Sequence, residues 1–197
     1  MMVLVNRLTP AIKVVVFLVC LIPLGLLVWN FIQGELGANP IEAVIHATGD
    51  WTLRLLLISL SITPLKIITG NAYWIRFRRM LGLFAFFYAT LHLCSYVVLD
   101  QFFDWSEIIK DIIKRPYITF GFLAWVLMIP LAITSTRKMM SRLGSRWKRL
   151  HKLVYWIAAL GVLHFLWLVK ADLREPLLYA GILAALLLVR LKPKLRA

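Results

Sequence analysis

Two histidines stand at matching depths in otherwise apolar stretches of the sequence. His92 lies 13 residues after Arg79, and His164 lies 12 residues after Lys152. At about 1.5 Å of rise per helical residue, each imidazole would lie some 18–20 Å from the basic end of its helix. Two neutral imidazoles at one level on different helices are what a six-coordinate haem iron requires. The spacing therefore predicts a haem between two helices, with His92 and His164 as its axial ligands.

Other roles for the histidines stay open on the sequence alone. A histidine inside a membrane can instead form a hydrogen bond across helices, whereas zinc would lack a third and a fourth ligand at this depth. His151, 13 residues before His164, could ligate a second haem or be an interfacial residue of the basic stretch 146–152. His46 lies in a predicted loop, where a surface or capping role is commoner than ligation.

The composition indicates a membrane protein. The chain has 197 residues, of which 61% are hydrophobic and only 16% charged, and its mean hydropathy is +0.82. In water-soluble domains roughly a quarter of the residues are charged. We therefore predict that residues 1–197 form one all-α domain, a polytopic membrane helix bundle of six transmembrane helices. The predicted spans are about 12–33, 51–68, 80–99, 117–136, 151–169 and 176–191.

The charges alternate between successive connecting segments. Seventeen of the 23 basic residues, and no acid, lie in segments 1–13, 66–79, 137–152 and 190–197. All nine acids lie in the alternate segments 34–50, 100–116 and 170–175. Because basic segments stay on the cytoplasmic side, we expect both termini in the cytoplasm and the acidic segments outside. This pattern explains the net charge of +14 without nucleic acid.

Missing motifs narrow the function to electron transfer. The sequence has no G-x-G-x-x-G, no P-loop, no nucleophile elbow and no paired carboxylates within a span. Hydride transfer from a bound nucleotide, ATP hydrolysis, acyl transfer and proton pumping therefore lack their usual residues. A haem in the outer half, connected to the cytoplasmic half by a second cofactor, would carry electrons across the membrane. A non-redox scaffold or transporter is the remaining alternative.

Several segments carry a family resemblance. They are Gly37-Ala38-Asn39-Pro40, His46-Ala47-Thr48-Gly49, Ile62-Thr63-Pro64-Leu65, Arg78-Arg79-Met80-Leu81-Gly82-Leu83, Thr90-Leu91-His92, Arg115-Pro116-Tyr117-Ile118-Thr119, Thr134-Ser135-Thr136 and Leu143-Gly144-Ser145-Arg146-Trp147-Lys148-Arg149-Leu150-His151. On these segments the chain resembles, from Pro10 to about Leu191, the MsrQ (YedZ) family. These are haem-binding membrane subunits of bacterial methionine sulfoxide reductase systems, within the ferric-reductase-like transmembrane superfamily.

The resemblance implies an electron-transfer subunit that is not an enzyme by itself. It would take electrons from the quinone pool or a cytoplasmic flavin reductase across the bacterial inner membrane. It would pass them to a periplasmic molybdopterin subunit, MsrP, which repairs oxidised periplasmic proteins. A stand-alone ferric or quinone reductase is the alternative within electron transfer.

The same resemblance implies the cofactors. The family's haem histidines correspond to His92, His151 and His164, for one haem b or two, and FMN binding is also attributed to the family. The basic loops could contact FMN or a quinone, or serve only as topology signals; the candidate residues there are Arg78, Arg79, Arg146 and Trp147.

One position departs from the superfamily pattern. A second histidine is expected 14 residues before His92, and Arg78 occupies that position. Arginine does not readily lose a proton to bind iron. The site of a second haem at His151 would therefore lack one ligand or use another residue as that ligand. Alternatively, the site would hold flavin or quinone.

Overall fold

The computed structural model describes residues 2–191, so the last basic residues of the predicted charge pattern, within 192–197, lie outside its description. This part of the chain is helical and contains no strand. Short 3₁₀ and π turns, Ala72–Trp74 and Tyr96–Asp100, precede and follow α3. The α-helices are α1 (Met2–Gln33), α2 (Pro40–Thr69), α3 (Ile75–Ser95), α4 (Trp105–Lys114), α5 (Pro116–Ile133), α6 (Arg137–Leu143), α7 (Ser145–Leu150), α8 (Leu153–Leu168) and α9 (Arg174–Leu191).

The prediction of an all-α membrane bundle is confirmed. Five helical segments of the described chain are long and apolar enough to cross a membrane, namely Thr9–Gln33, Pro40–Thr69, Ala72–Asp100, Pro116–Ile133 and Ser145–Leu168. The sixth predicted span is α9, an 18-residue helix that includes Arg174, Glu175 and Arg190. Six membrane helices are thus consistent with the structure, and five of them qualify by length and composition alone.

The predicted loop 34–50 is wrong for residues 40–50, because α2 begins at Pro40. The Asn39 side chain accepts a hydrogen bond from the Glu42 backbone N–H at 3.3 Å, and the Glu42 carboxylate accepts one from Asn39 Nδ2 at 2.9 Å. Pro40 occupies the first helical position, where its missing N–H costs nothing. These reciprocal caps start the helix early. His46 consequently lies on a helix.

The predicted loop 100–116 is likewise wrong for residues 105–114, which form α4. Asp104 caps this helix by accepting a hydrogen bond from the Glu107 backbone N–H at 3.0 Å. Ile108 on this helix is buried, whereas the apolar side chains of Trp105 and Ile113 are exposed. It packs against α5.

Two antiparallel helix pairs build the core. Helix α2 packs along α3, and α5 packs along α8, while α3 also contacts α5 and α2 also contacts α8. Ala85 on α3 and Ala158 on α8 are fully buried in this core. Small buried residues such as these two alanines let membrane helices approach one another closely. This arrangement brings α3 and α8, which carry the two predicted haem histidines, into one bundle.

A tyrosine hydroxyl enters the hydrogen-bond ladder of α1 beside Pro23. Tyr88, only 1% exposed, donates to the Cys20 carbonyl at 2.8 Å and accepts from the Leu24 backbone N–H at 3.1 Å. In a regular helix these two backbone groups would bond to each other. The inserted hydroxyl therefore opens α1 and fastens it to α3.

An arginine satisfies the carbonyl that Pro64 leaves without an intrahelical donor. Proline has no N–H to offer the carbonyl four residues earlier, which is that of Leu60. Arg190 on α9 donates to this carbonyl through Nη2, and through Nη1 to the Leu186 carbonyl at 2.9 Å. Arg190 therefore ties α9 to α2.

Candidate functional site

The structure brings the imidazoles of His92 and His164 together. Their ring centroids are 6.0 Å apart, and the ring planes are inclined at 76°. Two imidazole nitrogens that each lie about 2 Å from one metal ion place their ring centroids roughly 6 Å apart. At this separation, both rings could therefore bind one metal ion placed between them.

Both imidazoles are oriented by backbone carbonyls. Nδ1 of His92 lies 2.9 Å from the Ile45 carbonyl oxygen on α2, and Nδ1 of His164 lies 2.7 Å from the Tyr117 carbonyl oxygen on α5. A carbonyl oxygen only accepts, so Nδ1 carries the proton in both rings and donates it. The lone pair then resides on Nε2 of each ring, as metal ligation by a neutral histidine requires.

A cavity of about 1020 Å³ adjoins the two histidines. Its walls are largely apolar and come from α2, α3, α4, α5 and α8, with Leu53, Trp125 and Phe165 among the lining side chains. Sites for drug-sized ligands measure about 300–1000 Å³, so this cavity has the volume for a large organic cofactor. The apolar walls and the two available imidazole nitrogens fit a haem.

Helix α4 lines one end of this cavity and carries a buried carboxylate. Asp111 is 4% exposed and accepts hydrogen bonds from the Tyr96 hydroxyl at 3.0 Å and from Arg115 Nε at 3.0 Å. Arg115 also donates to the Tyr117 hydroxyl at 3.4 Å. This hydrogen bond, together with the Asp111 carboxylate, raises the pKa of Arg115, which stays charged. The network holds α4 over the end of the cavity that carries the acidic residues, here termed the acidic end.

This network was not predicted from the sequence, because residues 100–116 were expected to form a loop. The signals were present: Asp104 and Glu107 form an N-terminal cap pattern, and apolar residues recur with helical spacing through 105–113.

His46 stands apart from the histidine pair. Its side chain is 57% exposed, and Nε2 lies 3.8 Å from a Glu42 carboxylate oxygen one helical turn away. It lines the outer part of the cavity with Glu42 and Asp50. These contacts agree with the surface role favoured for His46 from the sequence.

His151 belongs to a separate cluster at the basic end, the end of the bundle that carries α6 and α7. It follows α7, and its ring stacks on Trp147 with centroids 3.9 Å apart and planes 27° apart. Its Nε2 lies 3.1 Å from the Thr134 hydroxyl, and Trp147 Nε1 donates to the Thr134 carbonyl at 3.0 Å. Because the Thr134 hydroxyl donates to the Pro130 carbonyl at 2.6 Å, it accepts from Nε2–H of His151.

The three arginines predicted for this end differ in burial and in the groups they interact with. Arg78 is half-buried and close enough to interact electrostatically with His151 and Arg190. Arg79 is exposed, and its Nη1 lies 3.9 Å from the Met140 sulfur. Arg146 is also exposed. Of these arginines, Arg78 is thus the one that acts electrostatically on His151.

The fold and the paired imidazoles define a redox membrane domain, and comparison with known proteins agrees. A family model described as "Ferric reductase like transmembrane component" matches residues 48–162, which include α3, α5 and most of α2 and α8. The chain therefore belongs to the class of ferric-reductase-like transmembrane components.

Relatives define the family more narrowly. A protein of Xanthomonas axonopodis pv. citri is 56% identical over 193 residues, which cover 95% of this chain and 88% of that protein. A protein of Rhodospirillum rubrum is 56% identical over 188 residues, which cover 93% of this chain and 89% of that protein. Both are named "Protein-methionine-sulfoxide reductase heme-binding subunit MsrQ". The chain belongs to the MsrQ family.

Proposed function

We propose that the chain is a b-type cytochrome subunit and that His92 and His164 are the axial ligands of its haem. The observation that carries the proposal is the 6.0 Å separation of the two rings, each with Nδ1 bonded to a backbone carbonyl. The haem-binding names of the relatives support the same cofactor.

Each part of the site has a definite task in electron transfer. A bound haem supplies a centre that accepts and releases one electron. The Ile45 and Tyr117 carbonyls hold the two imidazoles in one tautomer and increase the basicity of their free nitrogens. The largely apolar cavity walls, to which α4 contributes, surround this region. The protein thus binds and orients the redox centre and needs no side chain that reacts with a substrate.

The electron path runs from the cytoplasm to the periplasm in this proposal. The donor is the quinone pool or a cytoplasmic flavin reductase, and the acceptor is the periplasmic molybdopterin subunit MsrP, which reduces methionine sulfoxide. The names of the relatives as subunits of a protein-methionine-sulfoxide reductase support this assignment. The concentration of basic residues at one end supports the bacterial inner membrane with both termini in the cytoplasm.

A second cofactor occupies the basic end in this proposal. The stacked pair of Trp147 and His151, with Arg78 acting electrostatically on His151, would contact a second haem, an FMN or a quinone. Arg79 and Arg146 are exposed cations at the same end, suited to a phosphate or to topology alone. For His151 to ligate iron through Nε2, it must give up its hydrogen bond with Thr134.

The proposal is tested by haem content and by reduced-minus-oxidised spectra of the purified protein. We expect His92→Ala and His164→Ala to lose the b-type spectrum, whereas His46→Ala, a matched histidine outside the pair, retains it. His151→Ala reports on the basic end, where a partial loss would indicate a second haem. A folded wild-type protein without haem, after expression with ample haem, would contradict the proposal.

A stand-alone ferric or quinone reductase is the second candidate, favoured by the description of the matching family model. The two functions differ in their acceptor. Co-purification with a periplasmic molybdoprotein, and oxidation of the reduced chain by that protein, would establish the first. Steady reduction of a ferric chelate without any partner would establish the second.

A further inference from the structure

The surroundings of His92 and His164 repeat with the same spacing. Each Nδ1 contacts a carbonyl 47 residues earlier in the chain. In each case a glycine follows the carbonyl residue by four positions, Gly49 after Ile45 on α2 and Gly121 after Tyr117 on α5. The carbonyl and the glycine therefore lie one helical turn apart on the helix that faces the histidine. The site consists of two equivalent half-sites.

Each glycine lies against an imidazole more closely than a side chain would allow. A Cβ on Gly121 would be 2.8 Å from Nδ1 and 3.0 Å from Cε1 of His164. A Cβ on Gly49 would be 3.1 Å from Cε1 and 3.2 Å from Nδ1 of His92. Carbon and nitrogen atoms that are not bonded attract best near 3.5–4.0 Å, so these contacts would be repulsive. The ring of each histidine thus occupies the space that a Cβ would take.

Other glycines within the helices do not show this contact. A Cβ on Gly82 of α3 would lie 3.6 Å from the Ser59 hydroxyl oxygen, an ordinary van der Waals distance. Nothing lies within 4 Å of a Cβ built on Gly181 of α9. Helix packing alone therefore does not explain the closeness at Gly49 and Gly121, which is specific to the two half-sites.

We propose that Gly49 and Gly121 are positioning residues, which set the direction in which His92 and His164 present Nε2 to the haem iron. The part of this inference that concerns haem rests on the proposed function, whereas the contact between glycine and ring does not. A methyl group at either position pushes the ring away from its carbonyl, so that the Nδ1 bond is weakened and Nε2 turns from the iron. The effect is larger at Gly121, where the approach is closer.

The first experiment measures the haem in Gly121→Ala, Gly49→Ala and the control Gly82→Ala. We expect Gly121→Ala to weaken haem retention roughly 10- to 100-fold, the usual effect of removing a partner that orients a metal ligand. The haem that remains should have a shifted low-spin electron paramagnetic resonance signal and a shifted midpoint potential. Gly49→Ala should show smaller shifts, and Gly82→Ala none. A wild-type spectrum and potential in Gly121→Ala would overturn the inference and leave the haem assignment intact.

The second experiment tests the contact in the absence of haem. The thermal midpoint of the haem-free protein is compared for Gly121→Ala in the wild-type and His164→Ala backgrounds. With the ring present, alanine should lower the midpoint. Without the ring, alanine should leave it unchanged or raise it, because alanine favours a helix over glycine. Equal lowering in both backgrounds would show that the methyl group collides elsewhere and would refute the positioning role, whether or not the protein binds haem.

Discussion

Tyr88 connects two helices through a single hydroxyl, which is bonded to both the Cys20 carbonyl and the Leu24 N–H of α1. We expect Tyr88→Phe to lower the free energy of unfolding by about 1 kcal/mol, because the two hydrogen bonds of the hydroxyl are lost and the Cys20 carbonyl and the Leu24 N–H can regain at most the one bond between them. Denaturant titration in detergent micelles measures this change.

Tyr73 provides the matched control for that prediction. Its hydroxyl is buried and has no hydrogen-bond partner within the described chain. Tyr73→Phe removes an unsatisfied polar atom, so it should cost nothing or stabilise the protein slightly. Equal losses in both variants would mean that the bridge at Tyr88 contributes no net stability.

The histidine pair could be predicted from the sequence, but the backbone carbonyls that orient the two rings could not. His92 and His164 are polar side chains at matching distances from basic residues, and that pattern is visible in a single sequence. The carbonyls of Ile45 and Tyr117 have no such signal, because every residue has a carbonyl and only packing decides which one faces a ring. The two glycines are visible as residues, yet their role depends on how close α2 and α5 come to the histidines.

Between helices α9 and α2, Arg190 donates the hydrogen bond that Pro64 cannot donate to the Leu60 carbonyl. Arg190→Met should lower the free energy of unfolding by about 1–3 kcal/mol, because the Leu60 carbonyl loses the donor that replaces the missing proline N–H. In a Pro64→Ala background the restored N–H can bond that carbonyl, so the same arginine substitution should cost less. A double-mutant cycle by denaturant titration measures the coupling, and strict additivity would contradict the assigned role.

Helix α4 depends on Asp111 for its position over the cavity. Asp111→Ala removes the acceptor of the Tyr96 and Arg115 hydrogen bonds, so residues 105–114 should exchange their amide hydrogens faster. Hydrogen exchange followed by mass spectrometry measures this, with the exposed Asp100→Ala as control. Unchanged protection of 105–114 would show that packing alone holds the helix.

The helices themselves differ in how readily a sequence reveals them. Long uncharged runs predict α1, α3, α5 and α8 from hydropathy, since the bilayer demands such runs. The start of α2 and all of α4 fall in segments rich in acids, which a hydropathy criterion assigns to loops. Their helical state depends instead on caps, at Asn39 with Pro40 and at Asp104.

At the scale of the whole molecule, the separation of basic from acidic segments predicts how the protein is oriented in the membrane, with the basic segments in the cytoplasm. In a background without Cys20 and Cys94, a thiol at Ser106→Cys should react with a membrane-impermeant maleimide in intact cells. A thiol at Lys138→Cys should react only after permeabilisation. Both positions are exposed and lie in oppositely charged segments, so access is decided by side and not by burial. The reverse labelling pattern would invert the proposed electron path.

The 47-residue spacing within each half-site also bears on biosynthesis. Ribosomes synthesise the chain from the N-terminus to the C-terminus, so Ile45 and His92 are both made before Tyr117 is added. The second imidazole follows only when synthesis reaches His164. Under the proposed ligation, a nascent chain offers iron one axial ligand for the whole interval between residues 92 and 164. Stable capture of the cofactor therefore comes late, after α8 has entered the membrane beside α5.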